Sequence, residues 1–118
     1  MKKILVIGSS NIDMTAEVDH IPAPGETVGD AKYSVHFGGK GANQAMAAAR
    51  SGAEVTFITR VGKDPITEKM ISSFKDNGIH CDHISFSDTF STGVAFITVD
   101  KNAENSITVA PEANGELA

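Results

Sequence analysis

The chain has 118 residues, of which 41% are hydrophobic, and it carries 15 acidic against 10 basic side chains, a net charge of -5. A chain of this length can bury a core, so folding needs no structural metal, and the single cysteine, Cys81, excludes a disulfide framework. The acidic balance argues against nucleic acid, which requires clustered Lys and Arg, and no apolar run approaches the roughly 20 residues of a membrane span. We therefore expect one α/β domain with a cytoplasmic location and neither nucleic-acid nor membrane partners.

The first predicted strand is the aliphatic, β-branched run Lys3–Gly8, a pattern typical of a strand buried on both faces in a parallel sheet. A short polar loop is expected at 9–13. Residues 14–37 mix Thr, Val, Tyr and His around a turn containing Pro and Gly, which indicates a half-exposed antiparallel sheet inserted after the first strand. The pattern predicts two short strands there, at 27–28 and 33–37.

The densest glycine cluster, residues 38–41, precedes an Ala-rich stretch that predicts a helix over 42–51, ended by Gly52. A second buried strand is predicted over 54–61. An amphipathic helix is predicted over 64–77, with its aspartate as N-cap and proline at the first helical position. This alternation of strand and helix is the βαβ pattern of a doubly wound, mostly parallel sheet.

The end of the chain returns to a β-rich pattern. Residues 92–100 and 105–110 predict two strands joined by a hairpin turn, and 111–118 begin a helical pattern.

The glycine cluster is the first candidate ligand site. Glycines let a backbone approach a ligand closely, and the following helix turns its N-terminal amides toward the same point. Lys40 would add a positive charge and Asn43 an amide. The spacing fits neither a Walker A loop nor the dinucleotide fingerprint. A tight turn without a ligand is the alternative.

Asn11 and Asp13 are the second candidate. They follow the first predicted strand, and open α/β sheets bind ligands outside the carboxyl ends of their strands. A carboxylate accepts two hydrogen bonds and an amide both donates and accepts, so the pair suits neighbouring hydroxyls of a polyol. The alternative is an Asx turn with no ligand.

The segment His80–His83 (HCDH) has the composition of a metal site but not its geometry. Alternation along a strand would place Cys81 and His83 on one face and His80 on the other. We therefore expect no metal site here.

Three motifs together resemble the ribokinase group of the PfkB carbohydrate kinase family: residues 8–13 (GSSNID), 24–27 (PGET) and 38–45 (GGKGANQA). Gly52 and Gly62 stand at the distances where the family's first signature continues with glycine. Residues 91–95 and 104–107 match in order and spacing, so the resemblance covers essentially the whole chain. It implies a ribokinase-like α/β fold, here a partial, doubly wound, mostly parallel sheet with a small β-sheet lid. It also implies that the chain is the N-terminal part of a longer kinase domain. The expected parts are a core (1–13 and 38–91), a β lid (14–37 and 92–110) and a truncated end (111–118). Two departures are Thr67 and Glu112, which stand where glycine is usual.

The resemblance also implies sugar-contacting positions of three kinds. The positions that bind sugar hydroxyls are Asn11 and Asp13. Those that contact the sugar from the glycine loop are Gly39, Lys40 and Asn43. Those on the lid strands that close over the apolar face of the sugar are Ala95 and Ile107. In ribokinases two such lids pair to form a homodimer.

The family's second signature, a glycine-rich loop with the aspartate base, is absent from the 118 residues, as is the Asn-x-x-Glu segment associated with metal and phosphates. The activity implied is phosphorylation of ribose at its primary 5-hydroxyl by ATP with Mg²⁺. Activation by a monovalent cation, common among ribokinases, depends on loops outside this sequence. We expect this chain to hold the sugar-binding half and the lid, with no catalytic residue and no cofactor or metal site, and to be inactive alone.

Two alternatives stay open at this point. One is a non-catalytic fragment that at most binds sugar or self-associates through the lid. The other is a dedicated sugar-binding or regulatory module. In either case the sheet is expected to expose an edge and apolar faces, which favours aggregation or association with a partner.

Overall fold

A computed structural model describes residues 2–117, in which eight strands, two α-helices and one 3-10 helix follow one another. In chain order the elements are β1 (Lys3–Ile7), β2 (Asn11–Glu17), β3 (Lys32–Gly38), α1 (Lys40–Arg50), β4 (Glu54–Ile58), β5 (Arg60–Val61), α2 (Pro65–Asp76), β6 (Ser85–Phe86), β7 (Gly93–Val99), β8 (Asn105–Ala110) and the 3-10 helix (Glu112–Glu116). Met1 and Ala118, the first and last residues of the expected core and end segment, lie outside the described residues.

The core forms around the parallel pair β1 and β4, against which α1 packs. Alanines on the inner face of α1 let the helix approach closely, and Ala42 and Ala45 are fully buried. Phe57 of β4 meets Phe74 of α2 edge to face, with ring centroids 5.4 Å apart. The helices thereby cover the face of β1 and β4 that carries the buried residues Val6, Val55 and Phe57.

The opposite face of β1 is open, and here the prediction of a strand buried on both faces was wrong. Leu5 and Ile7 each keep 59% of their surface exposed. Within residues 2–117, β1 pairs with β4 alone, so one edge of the strand also has no neighbour. The aliphatic composition of β1 is that of a two-sided strand, but the described residues cover one side only.

The strand predicted over 54–61 is divided in two. β4 pairs with β1, whereas β5 pairs in parallel with β6, in a separate two-stranded sheet. The break falls at Thr59, whose buried hydroxyl is 2.8 Å from that of Ser10. This contact joins the end of β4 to the loop that leads from β1 into β2.

The helix α2 begins as predicted, but Asp64 is used differently. Its side chain makes no cap bond to the helix; it accepts a hydrogen bond from the Thr92 backbone N–H at 2.8 Å. Thr67 is buried, and its hydroxyl lies 2.6 Å from that of Thr92, which also accepts from the Gly62 N–H at 2.8 Å. The threonine that replaces the usual glycine therefore joins a buried chain of hydrogen bonds between α2 and the start of β7.

The lid is a four-stranded sheet with the order β3-β2-β7-β8. The antiparallel sheet predicted over 14–37 is formed by β2 and β3, whereas β2 and β7, the central pair, run parallel. Both strands leave the core side by side, with Asn11 opposite Gly93, and run outward together. Asn11–Asp13, predicted as loop, are the first residues of β2, and no strand forms at 27–28. The expected limits of core and lid stay a prediction.

Side-chain contacts hold two further segments, the β2–β3 connection and the 3-10 helix. In the β2–β3 connection, Glu26 accepts a hydrogen bond from the Ala23 N–H at 2.9 Å and contacts His20 at 2.7 Å. The 3-10 helix after β8 is tied to the core by an ion pair of Glu116 with Arg60 at 2.9 Å. No helix within residues 2–117 combines the length and the apolar character needed to cross a bilayer.

Candidate functional site

The candidate site lies where β2 leaves the core. Asn11 is opposite Gly38 of β3, and Asp13 is opposite Ala95 of β7. Residues paired across strands, and residues two apart along one strand, project from the same face of a sheet. Asn11, Asp13 and Ala95 therefore share one face of the lid at its root.

Two glycines make room for the polar side chains on this face. The Asp13 carboxylate lies over Gly38, where a Cβ atom would collide with its oxygens. At Gly93 a Cβ atom would stand 2.6 Å from Oδ1 of Asn11. A side chain at either glycine would occupy the space of a predicted sugar-binding group.

Asp13 has the electrostatics of a binding carboxylate. Burial raises the pKa of its carboxyl group, and the neighbouring His36 opposes that rise. None of the side-chain hydrogen bonds or ion pairs within residues 2–117 ends on this carboxylate, although Asp13 is half-buried. A partly desolvated acceptor without a partner is suited to hydroxyl donors supplied by a ligand.

Asn11 is held by a residue that sequence reasoning missed. Asn114, in the 3-10 helix, donates from Nδ2 to Oδ1 of Asn11 at 2.8 Å and to the carbonyl of Ser10 at 2.9 Å. Its own Oδ1 accepts from the Ser10 N–H at 3.0 Å. Asn114 lies 103 residues from Asn11, and no local pattern links the two positions.

The glycine cluster is used largely for packing of backbone on backbone. Gly39 has a φ of 93°, and a Cβ atom there would stand 2.8 Å from the Ser9 carbonyl. At Gly41 it would stand 2.6 Å from the carbonyl carbon of Gly8. The Ala42 N–H donates to the Ser9 carbonyl at 3.0 Å, which fixes the start of α1 against the loop before β2.

The structure places the remaining predicted residues around this root. Lys40 and Asn43 lie in the first turn of α1 with exposed side chains, and the Asn43 N–H donates to the Gly39 carbonyl at 2.9 Å. Ile107 of β8 is opposite Ile97 of β7, on the same face as Ala95 and one row further out. It is 55% exposed, whereas Ala95 is buried.

The described residues do not form a cluster suited to the Mg²⁺ that the resemblance implies. Within residues 2–117 no three His, Cys, Asp or Glu side chains come together as a metal site. His80 instead contacts Glu54 at 3.3 Å, and the Cys81 thiol donates to the carbonyl of Ile79. Burial raises the pKa of that thiol, which keeps it in the form that binds metals poorly.

Comparison with known proteins finds similarity along the whole chain. Residues 1–118 match the pfkB family of carbohydrate kinases. The bifunctional ribokinase/ribose-5-phosphate isomerase A of Fructilactobacillus sanfranciscensis is 49% identical over 115 residues, which cover 97% of this chain and 21% of that protein. The ribokinase of Haemophilus influenzae is 45% identical over 117 residues, which cover 99% of this chain and 38% of that protein.

Solved structures agree with the sequence matches. The ribokinase of Giardia lamblia superposes with a TM-score of 0.87 at 33% identity, covering 99% of this chain and 36% of that one. The ribokinase of Arabidopsis thaliana complexed with ribose and ATP superposes with a TM-score of 0.86 at 31% identity. The match covers 96% of this chain and 36% of that one.

The fold is therefore a partial ribokinase-like α/β fold with a β-sheet lid, as predicted. The chain belongs to the pfkB family of carbohydrate kinases, which are phosphotransferases. It spans between 21% and 38% of the length of the two curated relatives described above.

Proposed function

We propose that this chain forms the sugar-binding half and lid of a ribokinase-type kinase that phosphorylates ribose at its 5-hydroxyl with ATP and Mg²⁺ in the cytoplasm. The observation that carries the proposal is the carboxylate of Asp13. It is half-buried and has no partner within residues 2–117, and it shares a sheet face with Asn11 and Ala95. The relatives named as ribokinases, one of them complexed with ribose and ATP, support the choice of sugar.

The residues of this chain bind and orient the sugar. The Asp13 carboxylate accepts hydrogen bonds from ribose hydroxyls, and the Asn11 amide contacts a neighbouring hydroxyl. Gly39, Lys40 and Asn43 approach from the start of α1. Ala95, and beyond it Ile107 on the outer lid, meet the apolar face of the ring and keep water from it. ATP supplies the phosphoryl group and Mg²⁺ balances its charge in such a reaction.

Titration calorimetry with ribose tests the sugar site. Asp13→Asn keeps the shape of the side chain but removes its charge and one acceptor oxygen. Hydrogen bonds to charged groups contribute about 1.5–3 kcal/mol, so we expect the dissociation constant for ribose to rise about 10- to 100-fold. Asp76→Asn, on the exposed face of α2, is the matched control and should bind as the unaltered chain does. Equal affinities for all three proteins would refute the role of Asp13.

The second candidate is a non-catalytic chain that binds sugar without turning it over. It is favoured by the lack of an acidic cluster within residues 2–117 and by the share of its relatives that the chain spans. Incubation of the chain with ribose, ATP and Mg²⁺, followed by mass spectrometry of the sugar, separates the two candidates. We expect no ribose phosphate from the chain alone; turnover would show that it carries a complete catalytic site.

A further inference from the structure

The amide of Asn114 has only one orientation compatible with its neighbours. The Ser10 N–H can only donate, so the group it meets at 3.0 Å must be the Oδ1 of Asn114. The Ser10 carbonyl can only accept, so the group at 2.9 Å must be Nδ2. Two backbone groups of fixed chemistry thus determine which end of this side chain is oxygen and which is nitrogen.

The orientation of the Asn114 amide also determines the orientation of the Asn11 amide. The second N–H of the Asn114 amide donates to Asn11 at 2.8 Å, so the atom of Asn11 that receives it must be its oxygen, Oδ1. The NH2 group of Asn11 then remains for a ligand. Gly93 protects the contact, because a Cβ atom there would collide with Nδ2 of Asn114 and with Oδ1 of Asn11.

As a consequence, the two polar side chains on this face of the lid, Asn11 and Asp13, offer a ligand different hydrogen-bonding groups. Asn11 presents a donor and Asp13 an acceptor, two residues and about 7 Å apart along β2. A polyol that spans them must accept a hydrogen bond with one hydroxyl and donate one with another. Reversal of the Asn11 amide would place two acceptors side by side and remove this distinction.

We propose that Asn114 is a positioning residue, which holds the Asn11 amide with its NH2 group toward the sugar and so defines the site as a donor beside an acceptor. The inference rests on the proposed sugar-binding function. It adds a residue that touches no sugar, and it gives a physical reason for the glycine at position 93.

Side-chain amide NMR of the sugar-free protein tests the orientation without any ligand. We expect the NH2 protons of Asn114 to be protected from solvent exchange and those of Asn11 to exchange freely. Asn114→Asp keeps the acceptor for the Ser10 N–H but supplies no donor, so the Asn11 amide should reverse and its NH2 protons should become protected. If the Asn11 protons are already protected in the unaltered chain, or do not respond to the substitution, the inference is wrong.

Ribose titrations then test the consequence for binding. Asn114→Asp should weaken ribose binding by about tenfold or more. In an Asn11→Ala background the same substitution should change the affinity by less than about twofold, because the oriented amide is already gone. An equal loss in both backgrounds would indicate a general structural effect and overturn the positioning role. If the unaltered chain binds no ribose while the NMR pattern holds, the proposed function fails and the amide orientation stands.

Discussion

At the scale of single residues, the proposed sugar site depends on a carboxylate, that of Asp13, which has no side-chain partner within residues 2–117. Asp13 is half-buried, its pKa is raised by burial, and the adjacent Gly38 gives its carboxylate room. Folding a carboxylate into such a place is unfavourable unless something later binds it. The position thus has the character of a binding group more than of a structural one.

The raised pKa of Asp13 predicts how ribose binding depends on pH. The ionised carboxylate accepts hydroxyl donors, so affinity should fall as the pH falls through the folded-state pKa, which burial raises above that of an ordinary aspartate. The effect on folding has the opposite sign: the ionised group destabilises the sugar-free fold above that pKa, and the penalty is relieved as the pH falls. Calorimetric titrations at a series of pH values down to the acid range check the first effect.

Asp13→Asn provides the control for this pH dependence, since an amide does not titrate. Its weaker ribose binding should be nearly independent of pH over the same range. If the unaltered chain and the variant lose affinity in parallel, another group is responsible for the pH dependence.

The second residue-scale prediction concerns Glu112, which occupies a position where the family usually has glycine. Its φ of 48° is in the left-handed region, which costs a residue with a Cβ about 1 kcal/mol or more. Glu112→Gly should therefore stabilise the fold by up to about 1 kcal/mol, measured as a rise in the midpoint of urea unfolding. Glu104→Gly, at an exposed site with ordinary φ, is the control and should be neutral or slightly destabilising.

How far the sequence predicts the site depends on the distance between its parts along the chain. Asn11 and Asp13 could be found because they lie two residues apart after an obvious strand. Asn114 could not, because its contacts cross 103 residues and depend on where the 3-10 helix packs. Local pattern identifies groups that share one strand, whereas tertiary packing alone brings in the residue that orients them.

At the scale of elements, the differences between expectation and structure concern strand direction and strand breaks. The period-two pattern of β2 and β7 is the same for parallel and antiparallel neighbours, so it could not indicate that the two run parallel. The break between β4 and β5 was hidden because Thr59 is β-branched, as are Thr56, Ile58 and Val61 around it. Its hydroxyl turns inward to Ser10, and the chain changes sheets there.

A prediction at this scale concerns the buried hydroxyls that join α2 to β7. The Thr67 hydroxyl donates to the Asp64 carboxylate at 3.5 Å, so the proton in its 2.6 Å contact with Thr92 comes from the Thr92 hydroxyl. Thr67→Val keeps the shape but leaves that proton without an acceptor, which should destabilise the fold by about 1–3 kcal/mol in urea unfolding. Thr67→Ser restores the hydroxyl and should recover most of the loss. Unchanged stability of Thr67→Val would mean that the hydroxyl contact contributes little.

At the scale of the whole molecule, apolar surface is exposed in two places. One is the face of β1 with Leu5 and Ile7, on a strand whose second edge has no neighbour within residues 2–117. The other is the side of the lid that we propose faces the sugar, where Ile107 and Val109 are 55% and 53% exposed. For the relatives, which are longer than this chain, we propose that their further residues cover the corresponding face.

We propose that a second copy of the chain covers the lid. Ile107 lies opposite Ile97 and Val109 opposite Ala95, so these side chains form a continuous apolar surface beyond the sugar site. Two such surfaces can pack face to face and exclude water from both lids. A homodimer of this kind would link association to closure over the sugar.

Sedimentation velocity distinguishes this dimer from association through the core. The unaltered chain should sediment as a dimer, and Ile107→Ser should shift it toward monomer. Phe96→Ser is the matched control, because Phe96 is 51% exposed on the opposite side of the lid, and the dimer should persist. Leu5→Ser probes the face of β1. If Leu5→Ser dissociates the dimer and Ile107→Ser does not, association occurs through the open face of β1, and the proposed pairing of the lids is wrong.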